Sequence, residues 1–321
     1  MAGSQPTLGL LTAHNLALDA MRADWSYLDR LGIPSLWLFD QFGVPSVPEA
    51  GLWETWTLLA ALCAETSRCT VGTLITNVAM RNPAVLAKQA STVDNLAGGR
   101  LVIGLGAGYH EIDHTWVGVP FLTARERVTR LHEAAEILDR LLRGERLTYQ
   151  GTHFSVGDAQ LAPLPARRPR PPLMLAAFGP SSLASVVALG DGWSFTGRPG
   201  ESPESAAARF AALGRQLDEL CVAQGRDPQE IIRSYVAGFA DEQAFSSVDA
   251  FDDVTGRLAD AGASEIVYYY MSPAQEAFRS AGPHWVDRPM LERLVGDGRW
   301  GVLDGASEGD VDASETADRL R

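Results

Sequence analysis

Cysteine is scarce in this sequence: only Cys63, Cys69 and Cys221 occur among 321 residues. The count is odd, and the spacing matches no cysteine-based metal site. This scarcity excludes a small scaffold held together by disulfides and favours a reducing compartment. We therefore expect three free thiols.

Basic charge is also in short supply, with 27 lysine and arginine residues against 40 aspartate and glutamate residues. The resulting net charge of −13 argues against binding to nucleic acid or to an anionic membrane. No apolar run is long enough to span a bilayer, and the N-terminus has no basic leader. We expect a cytoplasmic protein whose partners are small molecules or copies of itself, a homo-oligomer with a dimer favoured.

The chain is rich in short apolar strands that alternate with helices. Near-continuous apolar strands indicate a parallel sheet covered on both faces, and eight repeats favour a closed (β/α)8 TIM barrel of the α/β class. The alternative is an open doubly wound sheet, but its first strand-to-helix turn would lack the phosphate-binding glycines. The predicted strands are 7–11, 33–39, 70–75, 100–105, 173–177, 192–195, 231–239 and 265–270.

We predict one barrel domain over residues 1–303. A long amphipathic helix over residues 121–143 precedes an insertion at about 144–172, which contains a small hairpin at 147–154. Residues 304–321 are acidic and rich in small side chains, which is typical of a flexible tail.

Three segments carry a resemblance to a known family. They are TNV at residues 76–78, RNP at 81–83 and GLGAGY at 104–109. Together they resemble the luciferase-like monooxygenase superfamily, and within it the branch that uses the deazaflavin coenzyme F420. The resemblance implies a luciferase-like barrel with insertions. It also implies a flavin- or deazaflavin-dependent oxidoreductase that transfers a hydride between F420 and a small organic substrate.

An FMN-dependent monooxygenase of the same fold is the alternative. Such an enzyme would use reduced flavin and O2, and a separate flavin reductase would then be a partner.

Asp40 and Gln41 end the second strand, at the face of a barrel where ligands bind. In the resembling family, a histidine usually follows the aspartate and lies near the cofactor ring. Glutamine cannot exchange a proton near neutral pH, so the resemblance implies that Gln41 makes a contact without an acid–base role. The alternative for Asp40 is a carboxylate that only caps its loop.

Any proton donor must come from elsewhere at the predicted mouth. Tyr109 and His110, directly after the fourth strand, join Gln41 as the catalytic candidates. Glu111, His14 and substrate-side water are further possible donors, although a lone histidine such as His14 is more often structural.

The end of the third strand contains Leu74, Ile75 and Asn77. In the resembling family this segment often bulges, sometimes through a cis non-proline peptide, and presses backbone against the middle ring of the cofactor. The resemblance therefore places Leu74 and Ile75 at the cofactor. Asn77 has donors and an acceptor suited to the pyrimidine edge of a deazaflavin. Without the resemblance, the segment is only a strand end with a polar cap.

The glycine-rich segment at residues 104–108 looks like a dinucleotide-binding loop, but it lacks a third spaced glycine and a ribose-binding acid. Because it leaves the fourth strand at the barrel mouth, we expect Ala107 and Gly108 to contact the cofactor. A glycine turn that serves packing alone is the alternative.

The loop after the fifth strand is expected to hold the cofactor phosphate. It contains Ala176, Ala177, Gly179 and Ser181, and a proline in the first turn of the following helix leaves backbone N–H groups free for an anion. Arg198, after the sixth strand, could add charge to a phosphate or to an oligoglutamate tail. A capped helix start and a solvated arginine are the alternatives.

Residues 110–114 also spell H-E-x-x-H, the pattern of zinc hydrolases, with Glu133 as a third ligand. The pattern requires one helix that brings both histidines to the same face. Gly108 before it and residues 117–120 after it leave little room for such a helix. We therefore expect no metal, and a zinc metallohydrolase is the alternative from another class.

Overall fold

Eight parallel strands close into a barrel in this computed structural model, which describes residues 5–43, 51–272 and 285–303. The predicted (β/α)8 TIM barrel is confirmed. The strands are β1 (Thr7–Thr12), β2 (Ser35–Leu38), β3 (Thr70–Asn77), β4 (Leu101–Gly106), β5 (Leu147–Gln150), β6 (Ser155–Ala159), β7 (Leu173–Ala176), β8 (Gly192–Thr196), β9 (Ile232–Val236) and β10 (Glu265–Tyr270). The barrel order is β1-β10-β9-β8-β7-β4-β3-β2, so β2, β3 and β4 are neighbours.

Helices follow the barrel strands and cover them. Four of them begin with proline in the first turn, where a missing N–H costs nothing. In the described ranges, no helix is both long and apolar enough to cross a membrane. The helices are α1 (Leu18–Leu31), α2 (Thr55–Glu65), α3 (Pro83–Leu96), α4 (Glu111–Trp116), α5 (Ala124–Leu142), α6 (Pro180–Leu189), α7 (Pro203–Ala223), α8 (Val248–Asp260) and α9 (Arg288–Gly296).

Alternation along each strand separates two apolar cores. Outward-facing side chains such as Leu10 and Leu36 pack against the helices in the larger core. Inward-facing side chains such as Leu11 and Trp37 form a smaller core inside the barrel, which we call the lumen cluster. Parallel strands buried on both faces explain why the sequence shows near-continuous apolar runs.

The hairpin insertion lies outside the barrel, as predicted, but its second strand begins later. Glu133 of α5 accepts the backbone N–H groups of Thr152, His153 and Phe154 at 2.7, 2.8 and 3.0 Å. A carboxylate that binds three consecutive N–H groups keeps them in the turn. The second strand is therefore β6, residues 155–159, and not the predicted segment that ended at 154.

Residues 285–303 pack back onto the barrel. Trp300 is buried and stacks on Phe251 with 5.8 Å between ring centroids. The N–H of Leu303 donates to the carbonyl of Gly32 at 2.8 Å. The predicted flexible tail, residues 304–321, lies outside the described residues.

Candidate active site

The end of β3 bulges at the mouth of the barrel. Its pairing with β4 shifts register between Thr73 and Thr76, and the peptide bond between Leu74 and Ile75 is cis. Leu74 belongs to the lumen cluster and Ile75 packs against it. The structure therefore contains the bulge that the resemblance implied.

Gly104 and Gly106 make room for this bulge. A Cβ atom at Gly106 would lie 2.1 Å from Cδ1 of Ile75, and one at Gly104 would lie 3.0 Å from its Cγ2. Both glycines belong to β4 itself. The apparent dinucleotide-binding pattern thus has a packing origin: Gly106 accommodates the side chain of Ile75, and Gly104 accommodates the backbone carbonyl of Thr73, 2.0 Å from where its Cβ atom would lie.

Asp40 is buried directly after β2, and other groups of the protein already bind its carboxylate. It accepts hydrogen bonds from both terminal nitrogens of Arg81, at 2.5 and 3.1 Å, and from the backbone N–H of Asn77 at 3.1 Å. Arg81 also reaches Glu54, the N-cap residue of α2, at 3.1 Å. Asp40 therefore ties the loops after β2 and β3 together, which agrees with its reading as a loop cap.

Asp113 of α4, which the sequence reasoning missed as a site residue, joins the same loops. Its Oδ1 accepts the N–H of Phe42 at 3.0 Å, and the side chain of Asn77 also hydrogen-bonds to it. Burial raises the pKa of Asp113, while the Phe42 N–H opposes this shift. Because Asn77 Oδ1 accepts the N–H of Ala79 at 3.0 Å, the amide of Asn77 positions the loop from both of its ends.

Gln41 and Tyr109 come together at the mouth. Gln41 Nε2 donates to Tyr109 Oη at 3.2 Å, and the ring of His110 lies 3.8 Å from that of Tyr109. Desolvation raises the pKa of Tyr109, and burial lowers the pKa of His110. Near neutral pH, Tyr109 therefore keeps its proton and His110 is neutral, so one can donate to a substrate oxygen and the other can accept a proton.

Gly108 packs tightly against residues behind the mouth. Its φ is 75°, and a Cβ atom there would lie 2.4 Å from Asn77 Oδ1 and 2.7 Å from His114 Nε2. The crowding at Gly108 therefore comes from the protein itself. Its neighbour Ala107 is half-buried against the larger core between strands and helices, which we call the helix-side core.

Arg130 of α5, also missed by sequence reasoning, is a buried cation behind His114. One of its terminal nitrogens lies 3.4 Å from His114 Nδ1, and its Nε has no hydrogen-bond partner within the described part of the chain. Burial lowers the pKa of Arg130, and Arg127 adds to this shift. A buried guanidinium is costly without a counter-anion, so this position suits an anionic ligand. In the sequence, the feature that could have pointed to Arg130 is its position directly before Leu131, a residue on the apolar face of the predicted helix.

The H-E-x-x-H segment contains a short helix, α4, which corrects the expectation that none would fit. Contacts with the neighbouring loop, among them the bond from Phe42 to Asp113, stabilise a helix too short to form alone. His114 contacts a cation and Glu133 binds the hairpin turn, so neither is placed as a zinc ligand. Among the residues described, no cluster of His, Cys, Asp or Glu could hold a metal ion.

The loop before α6 uses its own serine as a cap. Ser182 Oγ accepts the N–H groups of Phe178 and Gly179 at 3.1 and 3.3 Å. Ser182 is buried, whereas the predicted contact Ser181 is exposed. Two of the N–H groups that we expected to face a phosphate are thus occupied by a cap, as the alternative reading had it.

Ala176 is the last residue of β7 and Ala177 follows it, with its side chain on the opposite face. Ala176 alternates with Met174 of the lumen cluster and points inward. Ala177 packs in the helix-side core, its N–H donates to the carbonyl of Ser194, and its carbonyl accepts Trp193 Nε1. The backbone and the side chain of Ala177 are therefore both used within the barrel wall, and its contact with a cofactor stays a prediction.

Arg198 lies exposed after β8, and its backbone N–H donates to Glu201 at 3.0 Å. This placement agrees with the solvated alternative. His14 is buried, with its ring 4.5 Å from that of Phe39, and burial lowers its pKa to about 4. A neutral, enclosed ring agrees with the alternative of a structural histidine at this position.

Comparison with known proteins assigns this geometry to a family. The sequence profile of the luciferase-like monooxygenase family matches residues 6–260. The chain belongs to the luciferase-like monooxygenase family. This family member thus carries the bulged third strand and the glycine-bearing fourth strand within the matched region.

Two relatives with known names cover part of this luciferase-like protein. The F420-dependent glucose-6-phosphate dehydrogenase of Kineococcus radiotolerans is 34% identical over 53% of this chain and 50% of its own. The F420-dependent hydroxymycolic acid dehydrogenase of Mycobacterium tuberculosis is 30% identical over 69% of this chain and 59% of its own. The matched segments therefore span only 50% and 59% of the lengths of these relatives.

A solved structure is similar over nearly the whole barrel. An F420-dependent secondary alcohol dehydrogenase, in complex with an F420–acetone adduct, superposes with a TM-score of 0.70 at 17% identity. The superposition covers 86% of this chain and 96% of that chain. At this identity the similarity establishes the luciferase-like barrel fold.

Proposed function

We propose that this protein is an F420-dependent oxidoreductase that transfers a hydride between the deazaflavin and a small organic substrate. The observation that carries the proposal is the bulge at Leu74 and Ile75, which packs over Gly104 and Gly106 at the top of the lumen. It offers an apolar surface for a planar ring at the ligand-binding face of a barrel. The F420 dependence named for both relatives supports the same cofactor.

The residues around the bulge fit a planar cofactor with an anionic tail. Leu74 and Ile75 would back the ring, and the amide of Gln41 would meet its polar edge. Arg130, buried without an acidic partner in the described ranges, would supply charge for a phosphate. When bound, the deazaflavin supplies two-electron hydride chemistry, so few titratable groups are required of the protein.

The chain's own residues would then orient the substrate and manage its proton. Gln41 cannot carry a proton, but its bond to Tyr109 holds the phenol at the mouth. Tyr109 retains its proton near neutral pH and can donate a hydrogen bond to a substrate oxygen. The neutral ring of His110 beside it can take up or return a proton.

An FMN-dependent monooxygenase is the second candidate, favoured by the monooxygenase activity after which the family is named. It would require O2 and a flavin reductase as partner. The same bulge would support an FMN ring, since one fold can host several chemistries. The homo-oligomer, with a dimer favoured, stays a prediction in either case.

Parallel titrations with F420 and FMN, followed by cofactor fluorescence, test the proposal. We expect saturable binding of F420 and binding of FMN at least about tenfold weaker if the site is built for a deazaflavin. Gly106→Ala should weaken F420 binding by about tenfold, because its methyl group would push Ile75 toward the ring. Gly157→Ala on the exposed hairpin strand has open space around it and is the matched control. Tighter binding of FMN than of F420 would favour the monooxygenase.

A further inference from the structure

Two threonines flank the bulge of β3. Thr73 comes directly before Leu74 and Ile75, and Thr76 comes directly after them. From Thr73 to Thr76 the chain advances by three residues, while the paired residues of β4 advance by only two. An extra residue of this kind disrupts the ladder of backbone hydrogen bonds between two strands. The conformation of the bulge therefore depends on side-chain contacts.

The hydroxyl groups of the two threonines tie the base of the bulge together. Their Oγ atoms are hydrogen-bonded at 2.7 Å, which closes a short loop with the two bulge residues in its middle. Thr73 Oγ also donates to the carbonyl of Gly104 at 3.1 Å, and the indole N–H of Trp56 on α2 donates to Thr76 Oγ at 3.1 Å. We call Trp56, Thr76, Thr73 and the carbonyl of Gly104 the hydroxyl chain. It fixes the bulge to α2 on one side and to β4 on the other.

The direction of each hydrogen bond in the hydroxyl chain follows from its two ends. An indole nitrogen can only donate, and a carbonyl oxygen can only accept. The proton of Thr73 is used by the carbonyl of Gly104, so the proton of Thr76 points to the oxygen of Thr73. All three bonds thus run from α2 towards β4. Hydrogen bonds aligned in this way polarise one another, so the hydroxyl chain acts as a unit.

The hydroxyl chain is sealed from solvent. Thr73 and Thr76 are 0% exposed and Trp56 is 2% exposed, so water cannot replace a missing partner. Valine has nearly the shape of threonine, and packing alone would not require a hydroxyl group at either position. Loss of one hydroxyl would leave a buried donor or acceptor unpaired, which costs more than the bond itself contributes.

The residues just before Trp56 also hold the mouth of the barrel. Glu54 binds Arg81 in the loop after β3, and Thr55 Oγ donates to the carbonyl of Phe39 after β2 at 2.8 Å. Three consecutive residues at the start of α2 therefore contact the ends of two neighbouring strands. The indole of Trp56 thus comes from a turn that is itself fixed to the mouth.

We propose that Thr73, Thr76 and Trp56 are positioning residues, which hold the bulge in the conformation that meets the cofactor ring. Trp56 packs in the helix-side core, whereas Leu74 belongs to the lumen cluster. The hydroxyl chain therefore supports the bulge from the helix side and acts on a ligand only through Leu74 and Ile75. The inference rests on the proposed function, because it states how the ring-binding surface of that function is held.

Thr76→Val tests the inference in the full chain, because it removes the hydroxyl at nearly constant volume. We expect F420 affinity to fall by about tenfold, which corresponds to one unpaired buried group. In the cofactor-free chain, the backbone N–H groups of residues 74–77 should exchange with deuterium about tenfold faster, because the bulge opens more often. Thr76→Ser keeps the hydroxyl and loses the methyl group. It should lose stability in urea and still keep both parental values.

Thr12→Val is the matched control. Thr12 is also buried, accepts the indole N–H of Trp25 at 3.3 Å and donates to the carbonyl of Trp37 at 3.5 Å. It ends β1, which β2 separates from β3 in the barrel. Thr12→Val should lower stability in urea, but it should leave F420 affinity and the exchange at residues 74–77 unchanged. The double variant Thr73→Val/Thr76→Val should lose no more F420 affinity than the more affected single variant, since the two hydroxyls act as a unit.

The possible results decide between the two proposals. Unchanged exchange at residues 74–77 in Thr76→Val overturns the inference, as does an equal loss of F420 affinity in Thr12→Val. If the parent chain binds F420 and Thr76→Val binds it equally well, the inference is also wrong. If the parent chain does not bind F420, the proposed function fails. Faster exchange in Thr76→Val alone would then still support the hold of the hydroxyl chain on the bulge.

Discussion

Arg81 and Asp40 form a bidentate ion pair between the loops after β3 and β2, with N–O distances of 2.5 and 3.1 Å. The carboxylate of Asp40 is almost fully shielded, with 1% of its side chain exposed, and the guanidinium of Arg81 is 11% exposed. Such a pair costs desolvation when it forms, but breaking it leaves one buried charge without its partner. The pair therefore fixes the geometry of the mouth more than it adds to stability.

Asp40→Asn should destabilise the fold by about 2 kcal/mol, because Arg81 then loses one of its two counter-ions and keeps only the more exposed carboxylate of Glu54. The same change should weaken F420 binding, since the N–H of Asn77 loses a charged acceptor and its loop loosens. Urea unfolding and cofactor titration measure the two effects. Asp158→Asn, in an exposed pair with Arg146, is the control and should leave the unfolding midpoint unchanged. Equal effects in both variants would contradict this role of Asp40.

Gly108→Ala should lower both stability and F420 affinity. The new methyl group would displace Asn77 and His114 and would also strain a left-handed backbone position, for a total of about 2 kcal/mol or more. Gly118→Ala is a matched control, because its φ of 71° is similar but nothing lies within 4 Å of the added methyl group. Both variants carry the backbone strain, and only Gly108→Ala makes close contacts. The difference between their thermal unfolding temperatures therefore measures the effect of the contacts. If Gly118→Ala lowers the unfolding temperature as much as Gly108→Ala does, the contacts around Gly108 do not contribute to the effect.

Stability should fall as the pH rises, through Glu265 in the lower lumen. Burial raises the pKa of Glu265 from 4.5 to about 7, with hydrogen bonds from Ser234 and Ser35 opposing the shift. A raised pKa in the folded state means that the folded chain binds the proton more tightly. The contribution of Glu265 is therefore fully present below pH 4.5 and is lost, by up to about 3 kcal/mol, as the pH rises to about 7.

Glu265→Gln should abolish that part of the pH dependence, because a neutral amide has no proton to lose. Urea midpoints at pH 5 and pH 8 measure the difference, and the variant should exceed the parent protein in stability at pH 8. Glu219→Gln, on an exposed position of α7, should retain the parental slope. A parental slope in Glu265→Gln as well would mean that another group titrates.

All three thiols should resist modification in the folded protein. Cys63, Cys69 and Cys221 are free and buried, and burial raises the pKa of each, that of Cys63 to about 12. Because the thiolate is the reactive form, a disulfide-exchange reagent at pH 8 should modify none of them within minutes. After unfolding it should modify three. Rapid reaction of any thiol in the folded protein would contradict its burial.

Local pattern was sufficient to predict the barrel. Alternating apolar strands and helices depend on residues a few positions apart, so their order follows from the sequence alone, with ends shifted by one to three residues in most elements. One larger error has a tertiary cause. The second strand of the hairpin begins later than predicted, because Glu133 accepts the N–H groups of the turn before it. The resemblance anticipated the bulge at Leu74 and Ile75, which no periodicity would show.

The sequence by itself determined the succession of strands and helices and the parallel closed barrel, because these follow from local periodicity and from the handed connection of neighbouring strands. Only the tertiary structure decided what each polar side chain at the mouth does. Asp40 meets Arg81 across 41 positions of the chain, and Phe42 meets Asp113 across 71. Partners so distant leave no periodic signal, since a buried polar group is satisfied by whichever donor or acceptor the folded chain brings beside it.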